Sequence, residues 1–131
     1  MNKINRSLLF TSRVVITYSL VLFVHIIFFE ILFGKFSSLN PFLWILMTIG
    51  IITYSFFSFI FLFIFIYIFL TLKKMNKFIC IFICYILICI PFIAGTYLDK
   101  DEISISVVLM INSASIITSF ISYKKYYNII K

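Results

Sequence analysis

The sequence predicts an all-α membrane protein: a four-helix transmembrane bundle whose neighbouring helices run antiparallel. Three observations lead there. The 131 residues are 64% hydrophobic and only 11% charged, too few polar side chains to cover a soluble core of this size. The apolar residues gather into four runs, 14–33, 42–72, 78–97 and 103–123, each long enough for the ~20 helical residues that cross a ~30 Å hydrocarbon layer. The Lys and Arg residues collect at alternate ends of these runs, as they do when successive helices cross in opposite directions. Residues 1–131 therefore read as a single four-span domain.

The first run, VVITYSLVLFVHIIFFEILF, follows Lys3, Arg6 and Arg13. Basic residues before an apolar stretch also mark signal peptides, but this run is too long for a signal core and no small-residue cleavage site follows it. A retained helix is expected. His25 falls about twelve residues into it, near the expected bilayer centre.

The second run spans 31 residues, Phe42 to Leu72, or about 46 Å as a helix. Its lower half, FIFLFIFIYIFL, alternates aromatic and aliphatic residues at period two, a strand-like pattern. Hydrocarbon overrules that reading, because a lone strand leaves its N–H and C=O groups unpaired and a helix does not. Asn40-Pro41 reads as N-cap and first helical residue. Lys73 and Lys74 suit the negative end of the helix dipole. Gly50 or the Thr53–Ser55 patch is the expected soft point. Thr48, Ser55 and Ser58, flanked by Gly50 and Tyr54, form a face expected to meet the first or fourth helix.

The third run holds Pro91, which removes one backbone donor and predicts a kink, and Gly95. It also holds Cys80, Cys84 and Cys89. Cys80 and Cys84 share a face and Cys89 is expected to point the opposite way. An odd number of thiols at membrane depth argues against a disulfide framework, and the lone histidine on another helix argues against a zinc site. The three read as small apolar side chains.

The fourth run, ISISVVLMINSASIITSFISY, follows Asp99, Asp101 and Glu102, acids suited to a helix N-terminus. Asn112, Ser115, Ser119 and Ser122 form one helical stripe, broadened by Ala114 and Thr118. Such stripes bring membrane helices together through close packing and hydrogen bonds. The stripe faces either the bundle's own interior or another protein.

Orientation follows from charge. Lys3, Arg6, Arg13, Lys73, Lys74, Lys77, Lys124, Lys125 and Lys131 share one side; Lys35, Lys100 and the four acids fall at or near the other. The positive-inside rule puts both termini in the cytoplasm. The net charge of +7 then faces anionic lipid headgroups rather than nucleic acid. Tyr67, Tyr97, Tyr123, Tyr126 and Tyr127 fit interfacial belts. The wealth of Ile, Phe, Lys, Asn and Tyr matches AT-rich codons, so a bacterial inner membrane is expected, with an AT-rich organelle genome as the other source.

The residues that carry chemistry are few. His25 is an ionisable side chain inside a span, a functional candidate by default, and Tyr18 lies on its stripe. Glu30 completes an H-x4-E pair with it, but five helical residues place the two about 140° apart, so they do not converge. No nucleophile, base and metal cluster meets at one spot, and no glycine-rich phosphate loop occurs among three glycines. No enzyme activity, cofactor or metal is expected.

What remains is a protein that works by helix–helix contact, through His25, Glu30, Asn112, Ser115, Ser119 and Ser122. In size, span number and inner termini the chain is similar to small inner-membrane immunity proteins that counter pore-forming bacteriocins, and to multi-span subunits of phage-defence systems. That similarity implies a protein partner in or at the membrane. A channel or carrier subunit acting as a homo-oligomer, or an assembly subunit of a larger membrane complex, is the alternative.

Overall fold

A computed structural model describes residues 2–32, 41–100 and 105–131. Within them the chain forms four helices: α1 (Lys3–Leu32), α2 (Pro41–Thr71), α3 (Lys77–Lys100) and α4 (Ile105–Ile130). Each helix packs on its sequence neighbours, and α4 closes the ring on α1. The order around the bundle is thus α1, α2, α3, α4, with α1 and α3 touching lightly across the diagonal.

Neighbours run antiparallel. Arg6 near the start of α1 donates from Nε to the Ile129 carbonyl at 2.8 Å, at the end of α4. Further along, Thr17 meets Tyr126 at 3.1 Å and His25 meets Ser113 at 3.2 Å. Rising numbers on α1 meet falling numbers on α4. Ser19 likewise meets Ser55 of α2 at 3.0 Å. The start of α1, the α2–α3 turn and the end of α4 therefore share one end of the bundle, and with them eight of the nine basic residues named above; Arg13 lies somewhat further in.

Local chemistry sets the helix ends. The Asn2 side chain caps α1 by accepting the Asn5 N–H at 2.8 Å, and Asn76 caps α3 by accepting that of Ile79 at 2.9 Å. Both caps precede the same Lys-apolar pair, Lys3-Ile4 and Lys77-Phe78. At the end of α2 the Lys74 N–H bonds the Phe69 carbonyl and the Lys73 N–H that of Leu70, both at 3.2 Å. This pair of bonds is a Schellman closure. Its left-handed position, usually glycine, is Lys73 at φ 55°.

Two boundaries differ from the sequence reading. α1 starts at Lys3, eleven residues before Val14, and α4 runs on to Ile130, past Tyr123. Hydropathy marks where hydrocarbon-compatible residues stop, whereas a helix stops where its caps lie. One result is that His25 sits in the last third of α1 rather than midway along its helix. α2 is one continuous helix through Gly50, beside which a Cβ would meet nothing within 4 Å. α3 likewise continues through Pro91. Asn40, Lys35, Asp101 and Glu102 lie outside the described residues.

The bundle is apolar on its outside. Phe56, Ile52, Phe82, Leu109 and Phe120 are among many large apolar side chains left exposed. Eight polar side chains are buried instead, six of them on α1 and α4: Ser7, Thr11, Ser115, Thr118, Ser119 and Ser122. Water-soluble bundles place these classes the other way round. Among the described residues three helical stretches are long and apolar enough to cross a membrane: Lys3–Phe28, Thr48–Thr71 and Lys77–Ala94. The α4 helix carries Asn112 and several Ser and Thr residues. Those residues turn inward, and its outward side chains Leu109, Ile116, Ile117 and Phe120 are apolar.

Candidate functional site

The polar side chains converge on α4. Its small residues let another backbone come close, because Ala, Ser and Thr add little bulk. Ala114, Ser115 and Thr118 are fully buried and Ser119 nearly so. Ser115 and Ser119 donate to the carbonyls one turn back, Ile111 at 2.8 Å and Ser115 at 2.7 Å. Both hydroxyls are thereby paired within their own helix and present only a small, methylene-sized face to the neighbour. The sequence-predicted stripe therefore packs inside its own bundle.

Adjacent residues clip α4 to both sides. Asn112 is half-buried against α3. Its Oδ1 accepts from the Tyr85 hydroxyl and, at 3.5 Å, from the Cys89 thiol, and its Nδ2 donates to the Val108 carbonyl at 3.1 Å. Ser113 faces α1 and meets His25. The His25 Nδ1 lies 2.8 Å from the Val21 carbonyl. A carbonyl only accepts, so Nδ1 carries the proton, and in the neutral ring Nε2 accepts from the Ser113 hydroxyl. The arrangement holds the imidazole between two helices.

Tyr18 is the largest fully buried side chain. Its ring meets Phe92 of α3 edge-on at 4.9 Å, and its polar neighbours are Ser115 and Cys89. It thus joins α1, α3 and α4 at one level. Among the described residues six buried hydroxyls make no hydrogen bond: those of Ser7, Thr11, Tyr18, Ser58, Thr118 and Ser122. Five of the six lie on α1 and α4.

Cys89 stands about 140° from Cys84 around the helix, and both are buried, with Cys80. The reason is that α3 packs on both α2 and α4, so its buried face is wide enough to hold all three thiols. Among the described residues no group of three or more His, Cys, Asp or Glu stands ready to hold a metal ion. Glu30 belongs to the last turn of α1, and its side chain lies outside the described residues. Of the second-helix face, Ser55 meets α1 through Ser19, and Ser58 is buried.

Several contacts escaped the sequence reading. Tyr85, Ser113 and Ser19 carry interhelical bonds without standing out in any stripe. Arg6 was read only as charge, yet it also donates to the Lys131 carbonyl at 2.6 Å, tying the ends of α1 and α4. Arg13 stands over the Tyr126 ring, 5.9 Å from its centroid. A tyrosine at i, i+4 from Ser122 is the one pattern that points to that contact.

An apolar exterior, small polar side chains buried within the core and three membrane-length helices define a small multi-pass helical membrane protein. Compared with family models, with characterised proteins and with solved structures, the chain matches none.

Proposed function

We propose that all four helices span a bacterial inner membrane, with both ends in the cytoplasm, and that the protein works there by contact rather than catalysis. The outward face of α4 is apolar although its inward face is not, which suits a fourth span. Nine of the eleven Lys and Arg residues lie toward one end of the bundle, which the positive-inside rule assigns to the cytoplasm.

The observation that carries the contact reading is how the polar groups are used. His25, Asn112, Ser115 and Ser119 hold the bundle together, which leaves the apolar outer face, above all that of α2, as the surface open to a partner. Phe56, Phe57, Phe61 and Phe65 are exposed along it. A partner helix that docks there meets a ridge of aromatic rings. The role proposed is immunity or defence: the chain grips a pore-forming toxin, or a phage-defence partner, within the bilayer. Expression in cells challenged with pore-forming bacteriocins and with phage tests it. Expressing cells should keep their membrane potential under at least one challenge, and substitution of Phe57 and Phe61 by alanine should remove that protection. Unprotected cells under every challenge contradict the reading.

A second reading, a small channel or carrier subunit, draws on the orphaned hydroxyls of the α1–α4 seam, a polar line through the bundle. Ion leakage on expression, lost in a Thr11→Val/Thr118→Val variant, would favour it.

A further inference from the structure

We propose that the α2–α3 turn and the groove above it form a binding site for an anionic phospholipid. The groove, about 980 Å³, is lined almost wholly by apolar side chains, among them Phe65, Phe69, Phe78, Phe82, Ile86 and Ile90. It opens sideways, toward the surrounding hydrocarbon. From Phe78 to Ile90 it follows α3 for about 18 Å, close to the depth of one leaflet, half of a ~30 Å hydrocarbon layer. A phospholipid acyl chain has that length and that chemistry.

Charge at one end of the groove distinguishes this site from ordinary lipid contact. Lys73, Lys74 and Lys77 are exposed in and beside the turn that closes it. The Lys77 ammonium stands 5.1 Å from the centroid of the Phe78 ring, so a cation sits directly above the first apolar wall. The N-terminus of α3 adds partial positive charge at the same place. Among the described residues no acid falls on this end: Glu30 and Asp99 belong to the far turns of α1 and α3. Lys73 also holds a left-handed backbone conformation that glycine adopts without strain. A lysine kept there fits a role for its side chain.

The orientation is thus set by the molecule: phosphate at the lysines, acyl chain along α3. Phe120 of α4 also lines the groove, and Lys124, one turn beyond it, extends the basic rim. Lys3 and Arg13 stand on α1, which contributes nothing to the groove's lining, and serve as the internal control for charge alone.

The test uses the whole protein in nanodiscs of equal phosphatidylglycerol and phosphatidylcholine. Trp44→Phe/Phe82→Trp places a reporter in the groove, and each lipid is supplied brominated in turn. Brominated phosphatidylglycerol should quench this tryptophan several-fold more than brominated phosphatidylcholine. Lys73→Gln/Lys74→Gln/Lys77→Gln should bring the ratio close to one, and Lys3→Gln/Arg13→Gln should leave it high. Lys73→Gly should lower the ratio while helical content is kept, separating the side chain's role from the turn's. Equal quenching by both lipids in the unaltered turn would overturn the proposal. So would an equal fall in the turn variant and the α1 variant, which would mean general surface charge, or exclusion of both lipids by a co-purifying helix.

Discussion

The α1–α4 seam and the α2–α3 pair are built from opposite materials. The seam uses Ser7, Thr11, Ala114, Ser115, Thr118 and Ser122, all fully buried, and α1 and α4 make the most extensive contact in the bundle. Between α2 and α3, by contrast, grooves of about 420 and 980 Å³ open to the outside. The buried edge of the Phe-rich half of α2 is Ser58, Leu62, Ile66 and Leu70, one residue per turn, while Phe61 and Phe65 point out. In hydrocarbon, large apolar side chains gain little by turning inward, because lipid solvates them as well as a core does. Small residues decide which helices come close. Aromatic residues decide what the outside looks like.

Substitutions sharpen this contrast, and their costs should fall steadily from seam to surface. The largest effect belongs to Tyr18. Truncation to alanine empties a fully buried site and should cost about 3–5 kcal/mol, read as the shift of the unfolding midpoint in mixed micelles. Tyr18→Phe keeps the ring and removes only an unpaired hydroxyl, so it should change stability little or raise it. A large loss in that variant would mean that the hydroxyl has a bonded partner.

Ser119→Leu comes next. It forces bulk into the closest part of the seam and should cost about 1–3 kcal/mol. The same denaturation series checks it, with membrane insertion unchanged. If the variant were as stable as the parent, α4 would not pack with this face inward.

His25→Phe removes one interhelical bond to Ser113, about 0.6–2 kcal/mol by comparison with other membrane bundles. A double-mutant cycle with Ser113→Ala isolates the pair. A coupling of zero would assign the cost of the histidine to packing alone.

Phe61→Ala should be the mildest. Phe61 is 48% exposed, faces lipid, and should shift stability by no more than about 0.5 kcal/mol. A loss as great as that of Ser119→Leu would erase the distinction between seam and surface.

Much of this was legible beforehand, for identifiable reasons. Helix number and order follow from the length of the apolar runs, and hydrocarbon excludes the strand reading of the Phe/Ile alternation. The stripe on α4 is visible because 3.6-residue periodicity survives in any solvent. The caps were harder. Asn76 hides between two lysines and reads as loop, and Lys73 occupies a position where a glycine would have announced the turn. Ser113 and Tyr85 were missed because a pairing between helices depends on how each is rotated, which one helix's own periodicity does not fix. That Cys89 is buried along with Cys84 was not legible for a related reason: the width of a buried face depends on how many neighbours a helix has. The two-sided burial of α3 exists only once the ring of four is assembled.

The central claim is that α4 crosses hydrocarbon with its polar stripe turned inward. Spin labels placed singly at Ser115, Ile116, Ile117, Ser119 and Phe120 in bilayers, with oxygen and a water-soluble nickel chelate as relaxants, test it most directly. Oxygen accessibility should be high at Ile116, Ile117 and Phe120 and low at Ser115 and Ser119, with little effect of nickel at any of the five. Strong nickel relaxation at Ile116 and Phe120 would place this helix in water and contradict the account.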